Sequence, residues 1–396
     1  MLYSGHQFGH YVPQLGDGRA ILLGEVRNRK GERWELQLKG AGLTRFSRDG
    51  DGRAVMRSTI REYLCGEAMH GLGIPSTRSL CIVAGEEIVW RETPEPGAML
   101  LRMAPTHVRF GSFEVFYYRR QHEYLTMLAD YIIDHHYPHV AGSADRYARL
   151  LHEVAVRTGK LVAQWQAVGW AHGVLNTDNM SILGLTLDYG PFGFMERYDP
   201  TFICNHSDHH GRYSFQNQPD IGYWNIRALA RALSPLVGEA DVNMTPDVYE
   251  KAMLEKYAEL MRAKLGLLET HAGDDKLVTD LLNLMDSSRA DYTNIFRAMG
   301  TVRQENPTAP SELRDQFLHR EAFDDWAGRY RERLRAEKSD DTDRQSRMDA
   351  VNPKYVLRNH LAQRAITQAV QKKDYAEIDR LLNLLKHPFT EQPGME

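Results

Sequence analysis

The chain has 396 residues, 42% hydrophobic and 26% charged, with a formal net charge of −4 and a pI near 6.5. That is the balance of an ordinary globular protein with room for two or three cores, and it carries no basic footprint for nucleic acid. No apolar run approaches the ~20 residues of a bilayer-spanning helix, the N-terminus lacks a signal-peptide pattern, and three cysteines without a CxxC fit a reducing compartment.

From the N-terminus, Tyr3 to Arg19 spaces Gly5, Gly9, Gly16 and Gly18 among polar and aromatic residues, and an apolar run, Ala20 to Val26, follows. The pattern predicts strand, glycine turn, strand. Its tip at Gly16-Asp17-Gly18 is either a plain hairpin turn or a loop whose amides approach phosphate. Trp34 to Lys39 alternates strictly, with Trp34, Leu36 and Leu38 on one face and Glu35, Gln37 and Lys39 on the other, as a strand does. Lys39 ends that strand either as a solvated edge lysine or as a phosphate-binding one.

Gly40 to Arg53 is glycine-rich and basic, too irregular for a helix. With Arg45, Arg48, Arg53 and the Asp51-Gly52 turn it is either a cover over a nucleotide or a flexible connection. Met56, Ile60, Leu64 and Ala68 recur at helical spacing between Val55 and Leu72, with Glu62 on the flank. Arg78–Val89 and Ala98–Ala104 read as strands around the turn Thr93–Gly97. Arg102 interrupts the second of these and Arg109 follows it. An arginine inside an apolar strand needs an anion, here either a carboxylate such as Glu62 or a phosphate.

Beyond Phe113 the periodicity turns helical. Leu125–His135 and Tyr147–Ala171 are expected helices, the second with a buried stripe of Leu151, Val154, Leu161, Trp165 and Val168. It leads into GWAHGVLNTDNMSILGLTLDYG, residues 169–190, which sets Asp178-Asn179 before an apolar run and Asp188-Tyr189-Gly190 after it. One carboxylate and one amide oxygen on either side of a short excursion suit a divalent cation carried on a nucleotide, although such residues also occur wherever a chain turns.

Against the protein-kinase pattern HRDxxxxN…DFG, His172, Asn179 and Asp188 take the histidine, asparagine and DFG-aspartate places. Val174 stands where the catalytic base belongs. A valine accepts no proton, so Asp178 is the substitute carboxylate. His172 reads first as a buried structural histidine.

The following segment holds Cys204, His206, His209 and His210. Its spacing matches no closed zinc site, and it reads better as a substrate-facing loop with Cys204 as an exposed or redox-active thiol. Further helices are expected over 224–237, 247–268, 277–286, 292–303, 311–337, 352–366 and 375–385, with 338–347 an exposed charged loop.

The strings YSGHQFG, LGDGRA, LQLKGAG, TRFSRDGDGR, STIREYL, the 169–190 segment, DPTFICNHSD, RYSFQNQP and NPKYVLRN resemble the SelO family of protein-kinase-like adenylyltransferases over essentially the whole chain. The resemblance implies an α+β, bilobal protein-kinase-like fold. Residues 1–117 would form a small β-rich lobe, and 118–396 a helical lobe with the catalytic and metal-binding loop. It implies that ATP binds inverted relative to kinases and that AMP passes to Ser, Thr or Tyr hydroxyls of proteins with release of diphosphate. A non-catalytic ATP-binding scaffold and a conventional kinase are the other readings.

Carried over residue by residue, Gly16, Gly18, Arg19, Asp51 and Gly52 would contact the nucleotide and Lys39 would pair with Glu62. Arg102 and Arg109 would clamp the terminal phosphate, Asn179 and Asp188 would hold Mg2+ or Mn2+, and Asp178 would accept the proton. A cytoplasmic monomer of bacterial type, acting on protein substrates without nucleic acid or membrane, completes the expectation. Relatives start well before the glycine loop and often end in a cysteine or selenocysteine that the tail TEQPGME lacks. The chain is therefore expected to be a truncated or mis-started form, without redox control through Cys204.

Overall fold

In a computed structural model, which describes residues 1–395, a small sheet-rich N-terminal region is followed by a helical remainder, giving a mixed α/β protein. A hairpin of β1 (Gly5–Gln7) and β2 (His10–Val12) precedes a five-stranded antiparallel sheet of β3 (Ala20–Arg27), β4 (Arg33–Lys39), β5 (Ala54–Val55), β6 (Arg78–Trp90) and β7 (Pro94–Ala104). β4 and the short β5 share one edge of β7, and β6 takes the other. Gly16-Asp17-Gly18 therefore does not join paired strands as the sequence suggested: β2 pairs with β1 and β3 with β4. Strand β7 also starts at Pro94, inside the expected turn.

α1 (Met56–Gly71) packs on this sheet through Met56, Ile60, Leu64 and Ala68, all buried, as the helical spacing predicts. The alternation of β4 holds too, but its faces are used unexpectedly. Glu35 and Gln37 are buried while Trp34, Leu36 and Leu38 are only half-buried. The polar face looks inward because partners from distant elements satisfy it, which a buried polar group requires.

The helical part comprises α2 (Phe110–Tyr118), α3 (His122–His136), α4 (Arg146–Ala167), α5 (Gln218–Leu233), α6 (Glu239–Lys264), α7 (Asp274–Ser288), α8 (Tyr292–Ala298), α9 (Ser311–Arg314), α10 (Arg320–Ala336), α11 (Asp341–Val351), α12 (Asn359–Lys372) and α13 (Ala376–Lys386). One apolar core joins α1–α5 with α12 and α13. A second gathers the end of α6 with α7, α8, α10 and Met348 of α11. The stretch 338–347, expected as a loop, is mostly helix. Asp340 caps it by accepting from the Thr342 and Asp343 amides at 2.9 Å, and Arg344 is fully buried against Asp341 and the Val302 carbonyl. The helix expected over 311–337 is broken between Arg314 and Arg320. Among the described residues no helix is long and apolar enough to cross a membrane.

α4 ends earlier than its apolar spacing suggested. Gly169 takes a left-handed φ of 68°, which stops the helix. Trp170–Ala171 (β8) then pairs antiparallel with Gly193–Phe194 (β9), and this closes the base of the excursion that carries Asp178, Asn179 and Asp188.

Candidate active site

The sheet and the helical part bound a cleft of about 1280 Å3 lined by Gly16, Gly18, Arg19, Lys39, Asp51, Gly52, Glu62, Arg102, Val174, Asp178, Asn179 and Asp188. Its floor is built from β4, β7 and α1. Gln37 and Arg102 face each other across β4 and β7, and Arg102 Nε donates to Gln37 Oε1 at 2.7 Å. Lys39 Nζ, two residues along the same face, donates to Glu62 Oε2 of α1 at 2.6 Å and lies 3.4 Å from Asp188 Oδ1. Arg102 Nη1 reaches Glu62 Oε1 at 2.9 Å and also Asp188 Oδ1; Arg109 Nη1 takes Asp188 Oδ2. Three cations thus converge on one carboxylate. Burial would raise the Asp188 carboxyl, but Arg102, Arg109 and Lys39 hold it well below the usual carboxylate range.

Asp188 sits at φ 59°, a left-handed conformation that Asp tolerates better than most residues. The excursion around it is anchored on both sides. His172 donates from Nε2 to the Leu187 carbonyl at 3.1 Å and its ring accepts the Val174 amide. Burial pushes that imidazole down to about 4, so it is neutral and structural, as its surroundings of Trp165 and Trp170 also indicate. Asn225 and Gln218 of α5 tie the Leu175 and Trp170 carbonyls.

Asp178 lies ten residues before Asp188 in a different setting. Strand β1 crosses directly over it: a Cβ on Gly5 would fall 2.8 Å from Asp178 Cβ. Gln7 donates to Oδ2 at 3.2 Å, Arg109 donates to the Asp178 carbonyl at 2.7 Å, and the buried Oδ1 has no hydrogen-bond partner among the described residues. Burial pushes this carboxyl up to about 6. Asn179 donates from Nδ2 to the Val174 carbonyl at 2.9 Å, leaving its amide oxygen free of that bond.

Among the described residues no group of three His, Cys, Asp or Glu side chains converges as a metal cage. One amide oxygen and one carboxylate fit a Mg2+ that arrives with phosphate oxygens and water, which is how that ion is usually held. Cys204, His206, His209 and His210 do not assemble a zinc site among those residues either. Cys204 is half-buried beside the Ala171 carbonyl, and burial pushes its thiol up to about 12, which corrects the expectation of an exposed, reactive thiol.

The glycine turn is locked from behind. Thr44 and Ser47 donate to the Asp17 and Gly18 carbonyls, and a Cβ on Gly16 would fall 2.6 Å from the Phe46 ring. Asp51 stands apart from the cation cluster. Its carboxylate accepts from Arg91 at 2.8 and 2.9 Å and from the Arg53 amide at 2.9 Å, and these bonds hold it down to about 2.

Sequence reasoning missed Gln37, Gln7 and Tyr3, whose ring lies under the Arg109 guanidinium at 4.6 Å. Only Gln37 had a signal, its place two residues before Lys39 on one strand face.

A family model described as "Protein adenylyltransferase SelO" matches residues 1–386, and the chain belongs to that family of nucleotide-transferring enzymes. Relatives named "Protein nucleotidyltransferase YdiU" lie close to it. The one from Myxococcus xanthus is 57% identical over 396 residues, covering 100% of this chain and 81% of the relative. That from Thiobacillus denitrificans is 55% identical over 397 residues with the same coverage, and that from Klebsiella pneumoniae 54% over 391 residues, covering 99% of this chain and 81% of the relative.

Proposed function

We propose that the chain folds as two protein-kinase-like lobes, residues 1–117 and 118–396, and transfers AMP from ATP to Ser, Thr or Tyr hydroxyls of proteins. The observation that carries this reading is the buried, unpartnered Oδ1 of Asp178 in a cleft whose kinase base position is Val174. A carboxylate raised to about 6 is ionised at neutral pH and still basic enough to take a proton.

ATP lies inverted, with its terminal phosphate toward Arg102 and Arg109 and its α-phosphorus toward Asp178. The guanidinium fork suits phosphate, and Lys39, oriented by Glu62, adds a point charge. Gly16, Gly18, Arg19, Asp51 and Gly52 line the nucleotide. Asn179 and Asp188 would hold Mg2+, which would neutralise phosphate charge when bound. The acceptor hydroxyl oxygen attacks the α-phosphorus, its proton passes to Asp178, and the bond from that phosphorus to the diphosphate oxygen breaks. Arg102 and Arg109, already aimed at an anion, stabilise the departing diphosphate.

Incubation with ATP labelled at either the α- or the γ-phosphate tests this reading. α-Label on protein with release of diphosphate is expected. γ-Label on protein would make the enzyme a kinase, and neither label would make it a scaffold.

A further inference from the structure

Strand β1 has two sides. Gln7 faces Asp178, whereas His6, its neighbour, turns the opposite way, as alternate strand residues do, and lines a second pocket of about 470 Å3. Trp224, Arg227 and Arg231 of α5, Tyr118 of α2 and Asn243 of α6 are among the other residues of its wall. The two cavities are therefore separated by roughly the width of one strand.

The chemistry of this pocket is cationic and aromatic in a protein of net charge −4. Arg227 and Arg231 are exposed, and among the described residues neither forms an ion pair with a carboxylate; Tyr117 and Tyr118 are the groups that raise the Arg231 guanidinium. Arg212 stacks over Trp224 at 5.1 Å, and its Nε has no hydrogen-bond partner among the described residues. Of the acids nearby, Glu114 is already engaged, accepting from His6 at 2.7 Å and from Thr177 at 2.6 Å, and Asp241 lies 3.8 Å from the His152 ring. Trp224 is covered by Arg212 and by His6 at 5.2 Å, so the ring acts as a wall and not as an open platform for a base.

We propose that this pocket docks an acidic segment of the protein acceptor, one carrying carboxylates beside an apolar or aromatic side chain, and so delivers the neighbouring hydroxyl around β1 to Asp178. The carboxylates meet Arg227 and Arg231, and the apolar side chain packs against Trp224 and Tyr118. The inference rests on Asp178 being the acceptor-facing base, and binding is therefore read separately from transfer.

Two short fluorescein-labelled peptides serve as probes, each with one serine, one bearing glutamates around a phenylalanine and the other lysines in their place. Fluorescence anisotropy should show the acidic peptide binding at least about tenfold tighter, a preference that falls with added salt. Arg227→Glu/Arg231→Glu, both exposed positions, should abolish that preference and leave ATP affinity and thermal stability unchanged. Asp178→Ala should retain it. Equal affinity for the two peptides, or a preference indifferent to the charge reversal, overturns the proposal. So does a wild-type dimer that the charge reversal dissociates, which would assign the pocket to a second copy. Peptide preference without AMP transfer fails the transfer reading alone; AMP transfer without peptide preference fails the docking alone.

Discussion

Asp178 is a buried and Asp188 a half-buried carboxylate on one excursion of the chain, and their surroundings drive them in opposite directions. Asp188 meets three cations and is held ionised. Asp178 meets one amide, a single guanidinium turned to its carbonyl, and an otherwise unpaired interior, and burial dominates. Desolvation thus raises one carboxyl while converging cations lower the other, the kind of contrast that lets a site divide acid–base from electrostatic work.

The harshest way to break this contrast is Asp188→Ala. It leaves Arg102 and Arg109 buried with less counter-charge, a loss on the order of 3 kcal/mol when one partner of a buried pair is removed. Thermal unfolding should shift downward, and α-label transfer should fall by about 10^3-fold or more, since several cations lose their organiser.

Asp178→Asn should act oppositely on stability. A carboxyl raised in the folded state binds more protons than its unfolded counterpart between about 4 and 6, so ionising it above pH 6 weakens the fold. The amide removes that penalty, and unfolding at pH 7 should cost on the order of 2 kcal/mol more, while kcat falls about 10^2- to 10^4-fold. In the wild type, transfer should drop below about pH 6 as Asp178 takes up a proton, a limb that the variant lacks. Destabilisation by Asp178→Asn would sink the comparison.

Lys264 extends the contrast to the second core. It is buried with no acid paired to it among the described residues, its ammonium 4.3 Å from the Phe296 ring centre, and burial pushes it down to about 7. The unfolded chain holds more protons between about 7 and 10.5, so stability should rise with pH through that window. Lys264→Met should stabilise the protein by roughly 1–2 kcal/mol at neutral pH, with the gain shrinking toward pH 10 in chemical denaturation. The smallest effect is expected from Gln7→Leu. Without that donor the acid limb of the pH–rate profile should move up by about half a unit.

Much of this was legible from residue order. Helical spacing placed α1 and most of α4, alternation placed β4, and Lys39, Glu62, Arg102, Asp178, Asn179 and Asp188, singled out by type and order, all line one cleft. Each of these signals is local or belongs to a recognisable motif. The end of α4 was misjudged because apolar residues continue through Trp170 and Ala171, and only their pairing with Gly193–Phe194 makes them a strand. The helix at 341–351 was missed because it has little apolar stripe and depends on the Asp340 cap and the burial of Arg344.

By itself the sequence determined the family and the alternation along β4. Only the tertiary structure decided that the polar face of β4 is the inner one, which carboxyl is pushed up and which is held down. The reason is that both answers depend on desolvation and on partners far along the chain, 23 residues for Lys39 and Glu62 and 149 for Lys39 and Asp188. No local pattern encodes how much water a distant loop will exclude.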